Sequence, residues 1–193
     1  MRDKLGVVDE GCLYHHFWGA RMNPQFVYPQ HHNDFAHWAY HQLHDRVLAE
    51  KLSIIDPMEF DSLEELRQEV IEIIEARLDE NEPIWCTRKG EQFYFVRSIV
   101  VVFDRTGQIN HPNELLKVVE NLSCGEIFYH FIDARMRTSE KTDDFSLWLK
   151  GFGDRYNVLI ESIQSIDPYF LSLTQLKEEL IKAVKRDFPQ GEA

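Results

Sequence analysis

The most constraining feature of this chain is a stretch of sequence that occurs twice. Residues 11–22 align with residues 125–136, and six of the twelve positions are identical. The agreement continues in the same order, with Asp-Phe-x-x-Trp at 34–38 and 144–148, Asp-Arg at 45–46 and 154–155, Ile-Asp-Pro at 55–57 and 166–168, and Ser-Leu at 62–63 and 172–173. Because chance does not preserve the order of so many matches, the sequence predicts that one structural module has been duplicated.

Each copy predicts the same three helices. The first runs over residues 12–22 and again over residues 126–136, with apolar residues at helical spacing. The second begins at Asn33 or Asp143, because both residue types cap helix N-termini well. The third begins at Ser62 or Ser172, each followed three residues later by Glu or Gln in a capping-box pattern. The repeated module is therefore predicted to be a bundle of three helices.

The segment between the copies has a different character. Residues 84–88 and 93–97 flank Lys89-Gly90 and predict a β-hairpin, and the β-branched run 98–103 predicts a further strand. An extra helix is expected to start near residues 110–112. The sequence therefore predicts an α+β fold that is mainly α, in which the duplicated three-helix module is joined to a short antiparallel sheet and an extra helix. We expect one globular unit over residues 1–193, made of pseudo-repeats 11–78 and 125–188 and a strand-rich connection over residues 84–122, because each copy alone is small for independent stability.

The charge of the chain restricts its partners. It carries 33 acidic against 21 basic residues, for a formal net charge of −12, which repels phosphate backbones and anionic lipid surfaces. We therefore expect no nucleic-acid and no membrane partner. No apolar run approaches the roughly 20 residues that a membrane-spanning helix needs. The three cysteines are odd in number and far apart, which is typical of reduced thiols and predicts a cytoplasmic protein; the oligomeric state stays open.

Several motifs carry a resemblance to a known family. They are Phe-Tyr-Phe-Val-Arg-Ser from residue 93, Val-Val-Phe-Asp-x-Thr-Gly ending at residue 107, Ile-Phe-Tyr-His-Phe-Ile-Asp-Ala-Arg ending at residue 135, Asp-Phe-x-x-Trp at 144–148 and Ile-Asp-Pro at 166–168. In these motifs the chain resembles the DUF5752 family of bacterial and archaeal proteins of unknown function. The resemblance covers residues 84–188 well and the first copy more loosely. It implies a shared fold and no particular reaction.

Histidines are concentrated in the first copy. On the predicted second helix, His37, His41 and His44 follow one another at i, i+4 and i+7, which places them on one stripe of the helix. Imidazoles at this spacing suit Zn²⁺ or another transition metal, and His31, His32 or Asp34 could complete such a site. The alternative, a solvated face that is rich in histidine, is favoured because the second copy has no histidine at these positions.

Polar residues that occur in both copies are the candidate ligand-binding residues. They are His16, Arg21 and Asp34 in the first copy and His130, Arg135 and Asp144 in the second. One interpretation is structural: a His–Asp or Arg–Asp bond ties the first helix to the second in each copy, and this interpretation is favoured. The other is a small-ligand or anion pocket in each copy, with arginine as a bidentate donor and histidine as a titratable one.

No catalytic residue is identified in the sequence. It contains no glycine-rich phosphate loop and no Gly-x-Ser-x-Gly elbow, and no cysteine has an evident histidine base. The leading hypothesis is therefore a non-enzymatic cytoplasmic accessory or interaction protein that needs no cofactor and binds a partner protein or a small ligand. The alternative is a metal-dependent hydrolase that uses the histidine stripe of the first copy.

Overall fold

The computed structural model of the chain describes residues 1–19, 31–80, 87–103, 109–169 and 171–188. The chain divides into two compact units, unit 1 (residues 1–101) and unit 2 (residues 102–193). The predicted repeat 11–78 falls within unit 1 and the repeat 125–188 within unit 2. One globular unit over residues 1–193 stays a prediction. Within the described ranges, no helix combines the length and the apolar character needed to cross a membrane.

Unit 1 is helical in its described residues. Its helices are α1 (Arg2–Leu5), α2 (Glu10–Trp18), α3 (Asp34–His41), α4 (Arg46–Ser53) and α5 (Leu63–Asp79). Helix α5 packs against α1, α2 and α4, and α3 packs against α4. The core between them is apolar and includes Leu13, Phe17, Trp18, Phe35, Ala39, Leu52, Leu66 and Val70.

Unit 2 repeats this sequence of helices with additions. A 3₁₀ turn (Pro112–Glu114) leads into α6 (Leu115–Asn121), and the chain continues through α7 (Cys124–Ile127), a π-helical turn (Phe128–Asp133), α8 (Ala134–Arg137), α9 (Asp144–Lys150), a 3₁₀ turn (Asp154–Tyr156), α10 (Asn157–Gln164) and α11 (Leu173–Asp187). Helix α11 packs against α6, α7 and α10. Its buried residues are Leu173, Leu176, Leu180, Ala183 and Val184, which lie on one face at helical spacing.

Local capping bonds set the helix starts where the sequence predicts them. The side chain of Asn33 accepts a hydrogen bond from the N–H of Ala36, and that of Asp143 accepts one from Ser146. Ser172 forms a reciprocal capping box with its N3 glutamine. Such bonds satisfy donors that a helix N-terminus otherwise leaves unpaired.

Each repeat contains a fourth helix that the three-helix prediction omits, namely α4 in unit 1 and α10 in unit 2. Two residues in the left-handed region precede these helices: His44, with φ of 58°, and Gly153, with φ of 95°. Glycine accepts this conformation freely, whereas another residue is strained there by roughly 1–2 kcal/mol. The chain therefore turns at His44, which lies beyond the end of α3.

The predicted antiparallel sheet is wrong, because the described residues contain no β-strand. The turn at Lys89-Gly90 is present, with φ of 98° at Gly90, but the other half of the predicted hairpin, residues 84–86, lies outside the described residues. The backbone N–H of Val96 donates to the ring of His16, and that of Ser98 donates to the carbonyl of Gly11. Contacts with α2 have thus replaced strand pairing, and tertiary packing overrides the β propensity of the segment.

A buried ion pair joins the start of α4 to the end of α5. Arg77 Nε donates to Asp45 Oδ2 at 2.9 Å, while Asp45 Oδ1 accepts from the N–H of Leu48 and caps α4. Both side chains are buried. Arg77 Nη1 also donates to Glu80 at 2.6 Å. Asp45 therefore serves the fold twice, as a helix cap and as the counterion of a buried guanidinium group.

Candidate functional site

The polar pair predicted for unit 1 connects α2 to α3. His16 Nδ1 lies 2.8 Å from Asp34 Oδ2, and His16 is almost completely buried. Because the N–H of Val96 donates to His16 Nε2 at 3.1 Å, Nε2 carries the lone pair and Nδ1 carries the proton that is donated to Asp34. Both ring nitrogens are occupied, so the bond fixes the orientation of His16 in the fold.

His15 adds a second imidazole to this region. His15 Nδ1 lies 2.7 Å from the hydroxyl oxygen of Ser98, and the rings of His15 and His16 meet edge to face with centroids 5.0 Å apart. Among the described residues, one group of three ligand-type side chains, His15, His16 and Asp34, has ligand atoms within 4.8 Å of one another. A metal ion there would have to displace the proton between His16 and Asp34 or the hydrogen bond from Val96.

The equivalent pair in unit 2 connects the π-helical turn to α9. His130 Nδ1 lies 2.7 Å from Asp144 Oδ2, the same bond in the same place as in unit 1. Arg137 Nη2 also donates to Asp144 Oδ2, at 2.5 Å, and its Nε donates to Asp133 at 3.0 Å. Burial acts to raise the pKa of Asp144, but the hydrogen bonds from His130 and Arg137 outweigh it and hold the pKa below its usual range.

Asp144 accepts a hydrogen bond from Arg137, an arginine that the alignment of the two copies does not single out. The guanidinium of Arg135 lies 4.5 Å from the centre of the Phe131 ring. The π-helical turn Phe128–Asp133 inserts an additional residue into the turn and so rotates the residues that follow it around the helix axis. The i, i+4 spacing of Asp133 and Arg137 was visible in the sequence, but the π turn was not. Arg21 lies outside the described residues.

The predicted histidine stripe is divided by the end of α3. His37 and His41 are both exposed on α3, with ring centroids 4.3 Å apart, whereas His44 follows the helix in the left-handed conformation. His41 and His44 line a cavity of about 340 Å³ together with Tyr40 and Arg46. The metal site at His37, His41 and His44 stays a prediction.

A fourth histidine, His31, which sequence analysis offers only as one of three residues that could complete the predicted site, lies beside this group. His31 is 7% exposed, and its Nδ1 lies 2.8 Å from the hydroxyl oxygen of Ser53 on α4. Its ring centroid is 6.4 Å from that of His41. Burial lowers the pKa of His31, and repulsion from the imidazoles of His37 and His41 lowers it further.

An extended apolar segment, residues 94–103, is the longest run of exposed hydrophobic side chains in the described ranges. Its exposed side chains are Tyr94, Val96, Ile99, Val100, Val101, Val102 and Phe103. Ile99 and Phe103 have 69% and 83% of their surface accessible. At the start of the segment, aromatic residues that alternate with Tyr94 and Val96 point inward: Phe93 stacks on Phe35 with ring centroids 4.9 Å apart. As far as the described residues show, the segment is thus anchored at its start and exposed from Ile99 to Phe103.

Comparison with known proteins identifies the family. A family of unknown function, DUF5752, matches residues 1–185, which confirms the resemblance expected from the sequence. Among solved structures, OrfY from Thermoproteus tenax is similar over 97% of this chain and 84% of its own, with a TM-score of 0.77 and 27% sequence identity. No curated protein matches the sequence.

Proposed function

The chain belongs to the DUF5752 family of unknown function, and we propose that it is a non-enzymatic accessory protein that binds a partner protein through the apolar segment 94–103. The proposal rests on the exposure of that segment. Monomeric proteins rarely expose a continuous run of large apolar side chains, and such a run usually marks an interaction surface. In unit 1 and the start of unit 2, no described residue pairs with it as a strand.

The occupant that fits the segment is an extended strand of a basic partner protein. A run of β-branched residues exposed on both faces is typical of a strand that is covered on both sides. Strand addition would supply partners for the backbone groups of the segment and cover its side chains. The net charge of −12 favours a positively charged partner and opposes association with a second, equally acidic copy.

The polar pairs shared by the two repeats support a non-enzymatic role. His16 has both ring nitrogens bonded within the fold, and Asp144 is bonded to both His130 and Arg137. Groups held in this way stabilise helix packing and leave little free capacity to bind or transform a ligand. The metal-dependent hydrolase that uses the histidine stripe of the first copy stays the alternative prediction.

The test compares a double variant of the segment with a matched control. Ile99→Ser with Val101→Ser changes two side chains that are 69% and 65% exposed, whereas Val7→Ser with Val158→Ser changes two that are 77% and 63% exposed elsewhere. Both variants should keep the stability of the wild-type chain within about 0.5 kcal/mol per site, because exposed substitutions seldom do more. A partner captured by the wild-type chain, identified and then purified, should bind the segment variant at least ten-fold more weakly and the control unchanged.

Two results would contradict the proposal. A purified partner that binds both variants equally well would remove the segment from the interface. A wild-type dimer that the segment variant dissociates, measured by light scattering during size-exclusion chromatography, would make a second copy the occupant.

A further inference from the structure

His31 presents a buried nitrogen that the described residues leave unsatisfied. The ring is 7% exposed, its Nδ1 is bonded to Ser53, and its Nε2 is buried without a hydrogen-bond partner. A buried polar atom without a partner destabilises the fold, so the position of Nε2 needs an explanation. If Nδ1–H donates to the Ser53 hydroxyl, Nε2 carries a lone pair, which is the arrangement found in metal-binding histidines.

Two further imidazoles lie in the neighbourhood of the His31 ring. His37 and His41 are one turn apart on α3, with ring centroids 4.3 Å apart, and the His41 ring is 6.4 Å from the His31 ring. Nitrogens that share one zinc ion lie within roughly 3.5 Å of each other, so zinc binding requires the rings of His37 and His41 to move closer to His31. His37 and His41 are exposed and can rotate into place around the fixed His31.

The local environment favours the neutral form of His31 and of His37. Burial lowers the pKa of His31, and the neighbouring histidines lower it further. Burial and then His41 lower the pKa of His37 in the same way, with only a smaller opposing effect from Asp34. A histidine binds a metal ion through the lone pair of its neutral imidazole, so a lowered pKa keeps the ring ready to bind.

The fold of the repeat does not itself require these histidines. In the alignment of the two copies, Lys141, Leu147 and Gly151 of unit 2 stand where unit 1 has His31, His37 and His41. Unit 2 forms the equivalent helix α9 without them.

We propose that unit 1 binds one transition-metal ion through His31 Nε2, His37 and His41. Zinc is the ion that suits three imidazole ligands and a fourth, open coordination position. This site differs from the predicted stripe because His31 replaces His44. It also differs from the group His15, His16 and Asp34, in which the fold occupies both nitrogens of His16. Ser53 is a positioning residue, since it holds the His31 ring through Nδ1.

Isothermal titration of chelator-treated, untagged full-length protein with Zn²⁺ tests the proposal. We expect one zinc ion per chain in the wild type, and a loss of at least ten-fold in affinity in His37→Ala with His41→Ala, which changes exposed residues and should leave the fold intact. His31→Asn keeps an amide N–H near the Nδ1 position but lacks Nε2, and should lose zinc to a similar extent. Ser53→Ala should weaken binding by roughly 10–100-fold.

The matched control is His44→Gly, which should retain wild-type zinc affinity. Loss of zinc in His44→Gly would restore the helical stripe as the ligand set and overturn the proposal. The proposal is also overturned if the wild-type chain takes up no stoichiometric zinc, or if His37→Ala with His41→Ala takes up as much zinc as the wild type. A circular dichroism spectrum of each variant distinguishes lost ligation from lost folding, and a poorly folded His31→Asn leaves the exposed double variant to decide.

Discussion

Removal of the Asp45 side chain should destabilise unit 1 severely. Asp45→Ala removes the N-cap bond to Leu48, which is worth about 1 kcal/mol. It also leaves the buried guanidinium of Arg77 without its Asp45 partner, and breaking a buried pair by removing one side costs about 3–5 kcal/mol. Glu80 still accepts from Arg77 at its exposed edge, so we expect the lower end of that range and a total of about 4 kcal/mol.

Two further variants separate the contributions. Asp45→Asn retains an oxygen that can cap α4 but loses the charge, so its destabilisation should be about 3 kcal/mol, smaller by the value of the cap. Asp154→Ala is the control, because Asp154 aligns with Asp45 in the second repeat but is exposed. Its effect should stay within about 0.5 kcal/mol.

Urea unfolding followed by circular dichroism measures these differences. The expected order of stability is wild type and Asp154→Ala together, then Asp45→Asn, then Asp45→Ala. If Asp45→Ala unfolds within about 0.5 kcal/mol of the wild type, then the ion pair with Arg77 does not support the packing of α4 on α5, and the reasoning fails.

Three other predictions concern single positions. His44→Gly should stabilise the chain by about 0.5–1 kcal/mol, because relief of the left-handed strain exceeds the added flexibility of the unfolded chain; a lower melting temperature would count against it. Arg137→Ala should raise the pKa of Asp144 towards its ordinary value, so the fold should be less stable at pH 7 and should lose stability less steeply on acidification. The reason is that a carboxylate with a lowered folded-state pKa stabilises the fold above its unfolded pKa and loses that contribution as pH falls through the folded value. NMR titration of Asp144 with and without Arg137 checks the shift. Burial raises the pKa of Asp143 above its usual range, despite the hydrogen bonds from Ser146, so its charge costs stability at neutral pH. Asp143→Asn should keep the helix cap and melt no lower than the wild type at pH 7, and any gain in melting temperature should shrink as pH falls. A clearly lower melting temperature at pH 7 would show that the charge itself is needed.

Features that depend on neighbouring residues were predictable from the sequence. Asn33 and Ser172 cap helices through bonds that span three residues, and a pattern of that length is visible in the sequence. The His–Asp pairs were also predictable, because the predicted repeat aligns His16 with His130 and Asp34 with Asp144.

Features decided by distant contacts were not predictable. Residues 93–98 have the composition of a strand, but Phe93 packs on Phe35 and Val96 donates to His16, so α2 and α3 settle their conformation. The importance of His31 depends on Ser53, which is twenty-two residues away and on another helix. The bond from Arg137 to Asp144 follows a π-helical turn that helical periodicity does not reveal.

Amide hydrogen exchange of the free chain can decide whether residues 94–103 form an uncovered docking segment. We expect rapid exchange from Ile99 to Phe103, slower exchange at Val96 and Ser98 because their N–H groups donate to α2 residues, and protection of the whole segment once the partner binds. Slow exchange from Ile99 to Phe103 in the free monomer would mean that the segment is already paired and is not a free docking surface.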